Sequence, residues 1–562
     1  MKKLVKLVKS AAVLTLAIVM SASIIGCGKT EDTQTESTKA TPTASPEASA
    51  DSDGPFEKYA EPITITSVKN LGAGSLDFPE GDDIENNVWT REYKDALNID
   101  VSLLWTTNEQ QYDQKLNIAI TSDDLPDVMV VKNTQLKMMY ENDQLMDMTQ
   151  ILPEYWADFT KEVLEADGGD GLKSATFDGK LMAIPVVGTG LMSCKVLWVR
   201  TDWLDKLGLE QPKTVEDMLK VSDAFTNNDP DGNGVKDTFG LAVHKDLFEG
   251  GYASLEGFFN AYNSYPLIWV KKDNGLAYGT VQPESKTALA VLQDLYAKGQ
   301  IDPEFGVKDA NKVNEEVGAG KFGMFFGDFW NMAWLNDVKV EHPEMEWVPI
   351  AIPSSNGTPA KAGKTFGTGT YIVINKNCKN PEAVVKMLNL QLEKSYGATA
   401  EPTVYNITPD GYGPYAYTIP CGVEPGMKNF VAAEKVSEAV KTGDASKLND
   451  EEKNYYDMSM LAIGGDCTNN NWHQLKMFGP DGSLTVINKY WADGNVMRDE
   501  FFGAPTETMA EKLSTLKKQT LTDFTAIIMG APIDDYDKFV TNWGNLGGKA
   551  MTDEVNAWYA EQ

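Results

Sequence analysis

Short apolar runs, each leading into a capped helical segment, constrain the fold of this chain more than any other feature. Residues 62–68 (PITITSV) read as a strand, and a helical stretch follows around 86–97. Residues 99–104 and 127–131 read as second and third strands, with a helix over 111–120 between them. Strands and helices alternating at this spacing build βαβ units around a parallel sheet. Ligands of such sheets lie beyond the carboxyl ends of the strands. That places Trp105 and Thr106, after the second strand, and Lys132 and Asn133, after the third, at a candidate cleft rim.

The pattern returns at 195–241. Val196-Leu197-Trp198-Val199 is apolar at every position, as an inner strand buried on both faces would be. Thr201 reads as an N-cap with Asp202 and Asp205 behind it, and Gly208 as the left-handed stop of a short helix. Thr214 and Asp217 have capping-box spacing. Val215, Met218, Leu219, Ser222 and Phe225 then share one helical face. Further on, 321–326 reads as another inner strand, and 287–297 and 381–392 as helices.

The segment after the 214–225 helix is loaded with oxygen donors. Asp229, Asp231 and Asn233 occupy positions 1, 3 and 5 of an EF-hand-like loop, Gly234 the sharp turn at 6, Val235 the carbonyl at 7 and Asp237 position 9. Calcium takes about six to eight oxygens, and alternate side chains converge at this spacing. Position 12, where a bidentate Glu would stand, is Gly240, so a structural Ca2+ here draws on another carboxylate or on water. The alternative is a polar turn whose side chains bond their own backbone.

The amino terminus has four lysines before an apolar core at about 11–20, then Ile24-Ile25-Gly26-Cys27. This is the layout of a signal peptide (1–26). Residues 28–61 are Thr, Ser, Glu, Asp, Pro and Ala with almost no large apolar side chain, a composition that predicts a disordered tether. About thirty such residues reach on the order of 30 Å. The body beyond holds about 500 residues, enough for two lobes. The net charge of −32, more negative still without the leader lysines, argues against nucleic acid as a partner. Cys194, Cys378, Cys421 and Cys467 show no CxxC spacing, and three histidines leave no zinc signal. Three disulfide pairings, or free thiols, are open.

WVRTDWLDKLGL, PKTVEDML and DPDGNGVKDTFGL within 195–241, LPDVMVV at 125–131, FDGKLMAIP at 177–185, KFGMFFGDFW at 321–330 and the tail at 527–559 together resemble the extracellular solute-binding lipoproteins of carbohydrate ABC importers, in their large oligosaccharide-binding branch. The resemblance implies a periplasmic-binding-protein-like type II α/β fold: two α/β lobes joined by a multi-segment hinge, with extra C-terminal helices. Lobe one would take 62–187 plus about 367–430, lobe two 188–366 plus about 431–530, and 531–562 a helical tail. It further implies an acylated Cys27 at the head of the 27–61 tether, an oligosaccharide ligand, ABC permease partners and a monomer on the outer face of the cell membrane. In such relatives the end of the strand at 321–326 supplies an aromatic platform, here Phe329 or Trp330, with Asp328 accepting from sugar hydroxyls. Tyr412, Tyr415 and Trp472 are further candidates for the cleft. No G-x-S-x-G, H-E-x-x-H or P-loop is present, and no catalytic role is expected. A surface glycosidase using paired carboxylates and a non-transport adhesin are the rival readings.

Overall fold

The computed structural model describes residues 54–72, 76–406, 408 and 412–562. The signal peptide, Cys27 and the tether up to 53 lie outside the described residues. All described residues belong to one unit, 48–562.

Strands Ile63–Asn70 and Ile99–Thr107 pair in parallel, as the βαβ pattern predicts, with Val88–Glu92 and Tyr93–Leu97 as the helical crossover. The third strand, Val128–Lys132, does not continue that ladder. It pairs antiparallel with Thr370–Ile374, which also takes up the short strand Ile184–Pro185. The seam between the first and third strands is closed by side chains. Thr66 donates its N–H and hydroxyl to Asp127 at 2.8 and 2.6 Å, and Ser67 donates to the Val128 carbonyl at 3.0 Å. Side-chain alternation then divides the apolar residues between two faces. Val128, Ile372 and Ile374 join one buried cluster, while Met129, Val131, Tyr371 and Val373 join the other.

The second lobe has a four-stranded sheet in the order Trp347–Ile350, Val196–Arg200, Phe322–Gly327, Phe239–Leu241. Strands 196–200 and 322–327 are buried at every residue, the inner-strand burial their composition predicts. The Thr214–Asp217 capping box forms with bonds of 3.1 and 3.2 Å, and Gly208 ends its helix at φ +66°. Thr201 departs from its expected role. Strand 196–200 runs straight into helix Thr201–Leu207, so Arg200 holds the cap position and Thr201 bonds the Glu346 carbonyl through its N–H. Asp202 stands in the first turn of that helix, as expected, and is held there by the Arg200 guanidinium at 2.7 and 2.5 Å.

Apart from Tyr265, Ile268 and Val270, which form a small cluster of their own, most buried apolar side chains from 191–362 and 430–555 form one cluster. Tyr536, Phe539, Trp543, Met551 and Val555 of the final helices are part of it. The chain passes from one set of buried clusters to the other near 187–190, 365–369 and 423–427, and these passages pack at glycines. A Cβ on Gly367 would stand 1.7 Å from the Gly188 carbonyl oxygen, and one on Gly190, at φ +70°, 2.1 Å from that of Thr365. Away from the crossings, Arg498 pairs with Asp170, and Asn133 donates to the Gly503 carbonyl at 3.3 Å.

Candidate ligand-binding cleft

A cavity of about 710 Å³ opens against the crossing segments. Its volume lies within the roughly 300–1,000 Å³ usual for small-ligand sites. Gly188, Thr189, Gly190, Gly367 and Gly426 form its crossing-segment wall, and Asp328, Phe329 and Trp330 line it from the second lobe. Strand 322–327 places these three. It ends at Gly327, and the Trp198 indole N–H then holds the Asp328 carbonyl at 3.1 Å. Gly251, at φ +66°, lets its loop close over Asp328, whose N–H donates to the Gly251 carbonyl at 2.8 Å. Phe329 is largely buried. Trp330 is half-buried and meets Trp334 edge-on at 5.2 Å between ring centres.

Residues that sequence reasoning missed complete the chemistry. Lys195, immediately before the inner strand, sets its Nζ 2.6 Å from Asp328 and 3.8 Å from Glu256. Burial alone would lower the lysine's pKa, but the two carboxylates outweigh it and the ammonium is held protonated. Burial raises the pKa of both Asp328 and Glu256 above the usual carboxylate range, with Lys195 opposing the shift. Ser254 donates a very short hydrogen bond to Glu256. Lys195 had a legible signal, a charge abutting an all-apolar run. Glu256 had none, because its helix, Glu256–Ala261, lies far from the strand in sequence. The cluster can offer carboxylate acceptors, one ammonium donor and aromatic faces to a hydroxyl-rich ligand.

A second cavity, of about 490 Å³, lies beyond the carboxyl ends of the first lobe's strands. Lys69, Lys132, Asp113, Thr370 and Cys421 line it. Lys132 pairs with Asp113 at 2.5 Å. Asn133 lies at the contact with the Gly503 segment. Trp105 is half-buried against Tyr112, with the Lys115 ammonium 4.7 Å above its ring. The Thr408 N–H donates to the Tyr412 carbonyl and the Tyr412 N–H to the Thr408 hydroxyl, and Tyr415 is exposed. Trp472 is 2% exposed in the second core and donates to Glu346, so it is a packing residue with no face on either cavity.

The acidic loop keeps its turn chemistry. Asp229 accepts from the N–H groups of Gly232 and Gly234, and the Asn233 amide reaches Asp231 and Asp237 at 2.7 and 3.2 Å. Its donors are all oxygens (three carboxylates, an amide and the Val235 carbonyl), which suits a hard cation. Against that, the Lys321 ammonium already pairs with Asp237. Among the described residues no three of His, Cys, Asp and Glu are grouped to hold a metal. The four described cysteines are free thiols.

The sequence model of the bacterial extracellular solute-binding proteins matches residues 79–398. The polygalacturonan/rhamnogalacturonan-binding protein YtcQ of Bacillus subtilis is 26% identical over 256 residues, 44% of this chain and 48% of that protein. The fructooligosaccharide ABC transporter substrate-binding protein FusA of Streptococcus pneumoniae is 26% identical over 303 residues, 52% of this chain and 55% of FusA. The chain thus spans about half the length of the curated relatives it matches. In solved structures the fold is similar to FusA in complex with kestose, with TM-score 0.59 and 17% identity over 89% of this chain and 99% of that one. FusA is also known as an EF-hand mutant with fructo-nystose, at TM-score 0.58 and 17% identity over the same shares. An extracellular solute-binding protein from Bifidobacterium longum subsp. infantis gives TM-score 0.61 at 17% identity, covering 90% of this chain and 99% of that one.

Proposed function

Because the chain belongs to the bacterial extracellular solute-binding protein family, we propose that its interlobe cleft captures an oligosaccharide and presents it, unreacted, to the permease of an ABC importer. The observation that carries this reading is the buried Lys195–Asp328–Glu256 cluster with Trp330 on the wall of a cavity backed by glycine-packed crossings. Sugars present hydroxyls and flat CH faces, which such a wall can hydrogen-bond and stack. Crossings that pack closely at glycines are suited to hinge motion that closes the lobes on a ligand. The relatives support the same class, since YtcQ and FusA are named for polysaccharide and oligosaccharide binding.

Anchoring through an acylated Cys27, with the body outside the membrane, belongs to this proposal and rests on the leader sequence. Among the described residues no helix is long and apolar enough to cross a membrane. A structural Ca2+ in the 229–237 loop belongs to it too, supported by the donor set and by the EF-hand named for FusA.

The test is a thermal-shift and calorimetric screen against plant, algal and host glycans. At least one oligosaccharide should bind and be recovered intact, and Trp330→Ala should weaken it roughly tenfold or more with little change in melting temperature. Cleaved sugar would support the paired-carboxylate hydrolase instead. Equal affinity in Trp330→Ala would remove the platform.

A further inference from the structure

The first lobe's cavity carries a feature that capture of a neutral sugar does not require. Lys69 is the penultimate residue of strand 63–70, 7% exposed, on the wall of that cavity. Its ammonium donates to two backbone carbonyls, Thr418 at 2.6 Å and Pro420 at 3.4 Å. Among the described residues no carboxylate pairs with it, and the ionisable group that acts on it is the Cys421 thiol. A buried ammonium without a counter-ion is costly, because carbonyl dipoles replace only part of its hydration. Burial pushes its pKa down to about 8, with Cys421 partly opposing, so it remains a cation at neutral pH. An ammonium also has three donors, and the two carbonyls leave one.

The surroundings do not cancel the charge. Lys132 lines the same cavity and Asp113 offsets it, so Lys69 leaves the site net positive within a strongly acidic protein. The other cavity is the opposite: Lys195 faces Glu256 and Asp328, with Glu424 on the same wall. At physiological salt, charges more than about 8 Å apart are largely screened, so the local cation outweighs the distant net charge.

We propose that Lys69 reads an anionic substituent, a carboxylate or a sulfate ester, on the sugar residue seated at the first lobe, so that the ligand is an acidic oligosaccharide. This rests on the cleft reading above and names its ligand class.

The test measures affinities of the full chain for trisaccharides of galacturonate, mannuronate and guluronate, each beside its methyl ester, and for a sulfated trisaccharide beside its desulfated form. At least one acid should bind roughly tenfold or more tighter than its neutral twin, as a charge-assisted hydrogen bond provides. The pair that shows the preference identifies carboxylate or sulfate. Lys69→Met should abolish the preference, and Lys69→Arg, which keeps the charge should Met not fold, should retain it. Neutral twins that bind as tightly as the acids, or a preference that survives Lys69→Met, would overturn the inference. So would neutral glycans binding where no acid does, and in that case the cleft reading would stand. No glycan of either kind binding would remove the cleft reading itself.

Discussion

Asp499 shows how one desolvated residue can set the pH dependence of the fold. It follows the short strand Val496–Arg498, and its carboxylate accepts the N–H groups of Trp269 and Phe501 at 3.0 and 3.2 Å. Burial is the dominant influence and raises its pKa to about 7, the two N–H donors and Lys364 opposing and Glu500 reinforcing. A carboxyl with a raised pKa binds more protons folded than unfolded between about pH 4 and 7, so stability falls as pH rises through that window. Asp499→Asn keeps an acceptor oxygen and removes the charge. It should flatten the decline and raise stability at pH 8 by on the order of 3 kcal/mol, read by urea unfolding at pH 5 and 8. An unchanged pH slope would show that the carboxylate is not desolvated. The same scale explains how the candidate residues came to be placed. Asp328 and Trp330 line the cavity because they follow the end of an unmistakable inner strand. Trp472 misled because an aromatic in a polar stretch looks the same whether it faces a cleft or Glu346.

At the scale of elements, spacing rules held where the interaction is local. The Thr214–Asp217 box and the Gly208 stop need only three or four residues to form. Thr201 lost its cap because the strand before it and the Glu346 carbonyl, far along the chain, claimed that backbone. The 229–237 loop sits between these cases. Its own side chains satisfy its turns, while Lys321 comes from a distant strand edge to Asp237. With calcium bound, chelation should lower the melting temperature by a few degrees without abolishing sugar binding, and added Ca2+ should restore it. At a hundredfold excess over Kd the ion contributes about 2.7 kcal/mol. Purified protein free of metal, with a melting curve indifferent to chelator, would end the calcium proposal.

At the scale of the molecule, the C-terminal helices are structural members of the second lobe. Tyr536, Phe539 and Trp543 pack into the core shared by Phe524 and Phe259, and Met551 and Val555 close it. Deleting 531–562 should therefore unfold or aggregate the second lobe, since each large core side chain lost costs about 3–5 kcal/mol. A truncated protein melting like the full chain would contradict this. The sequence by itself determined the inner strands, the Gly208 and Thr214–Asp217 helix ends and the strand end that carries Asp328 and Trp330, because periodicity and capping act over a few residues, while the two-lobed α/β class was legible through the family resemblance. Only the tertiary structure decided that strand 128–132 pairs antiparallel with 370–374, and that glycines from three separate passages pack together. It alone brought Glu256 to Lys195 and left Lys69 buried without a carboxylate. Those outcomes join residues tens to hundreds of positions apart, where burial and charge pairing, not spacing, select the partner.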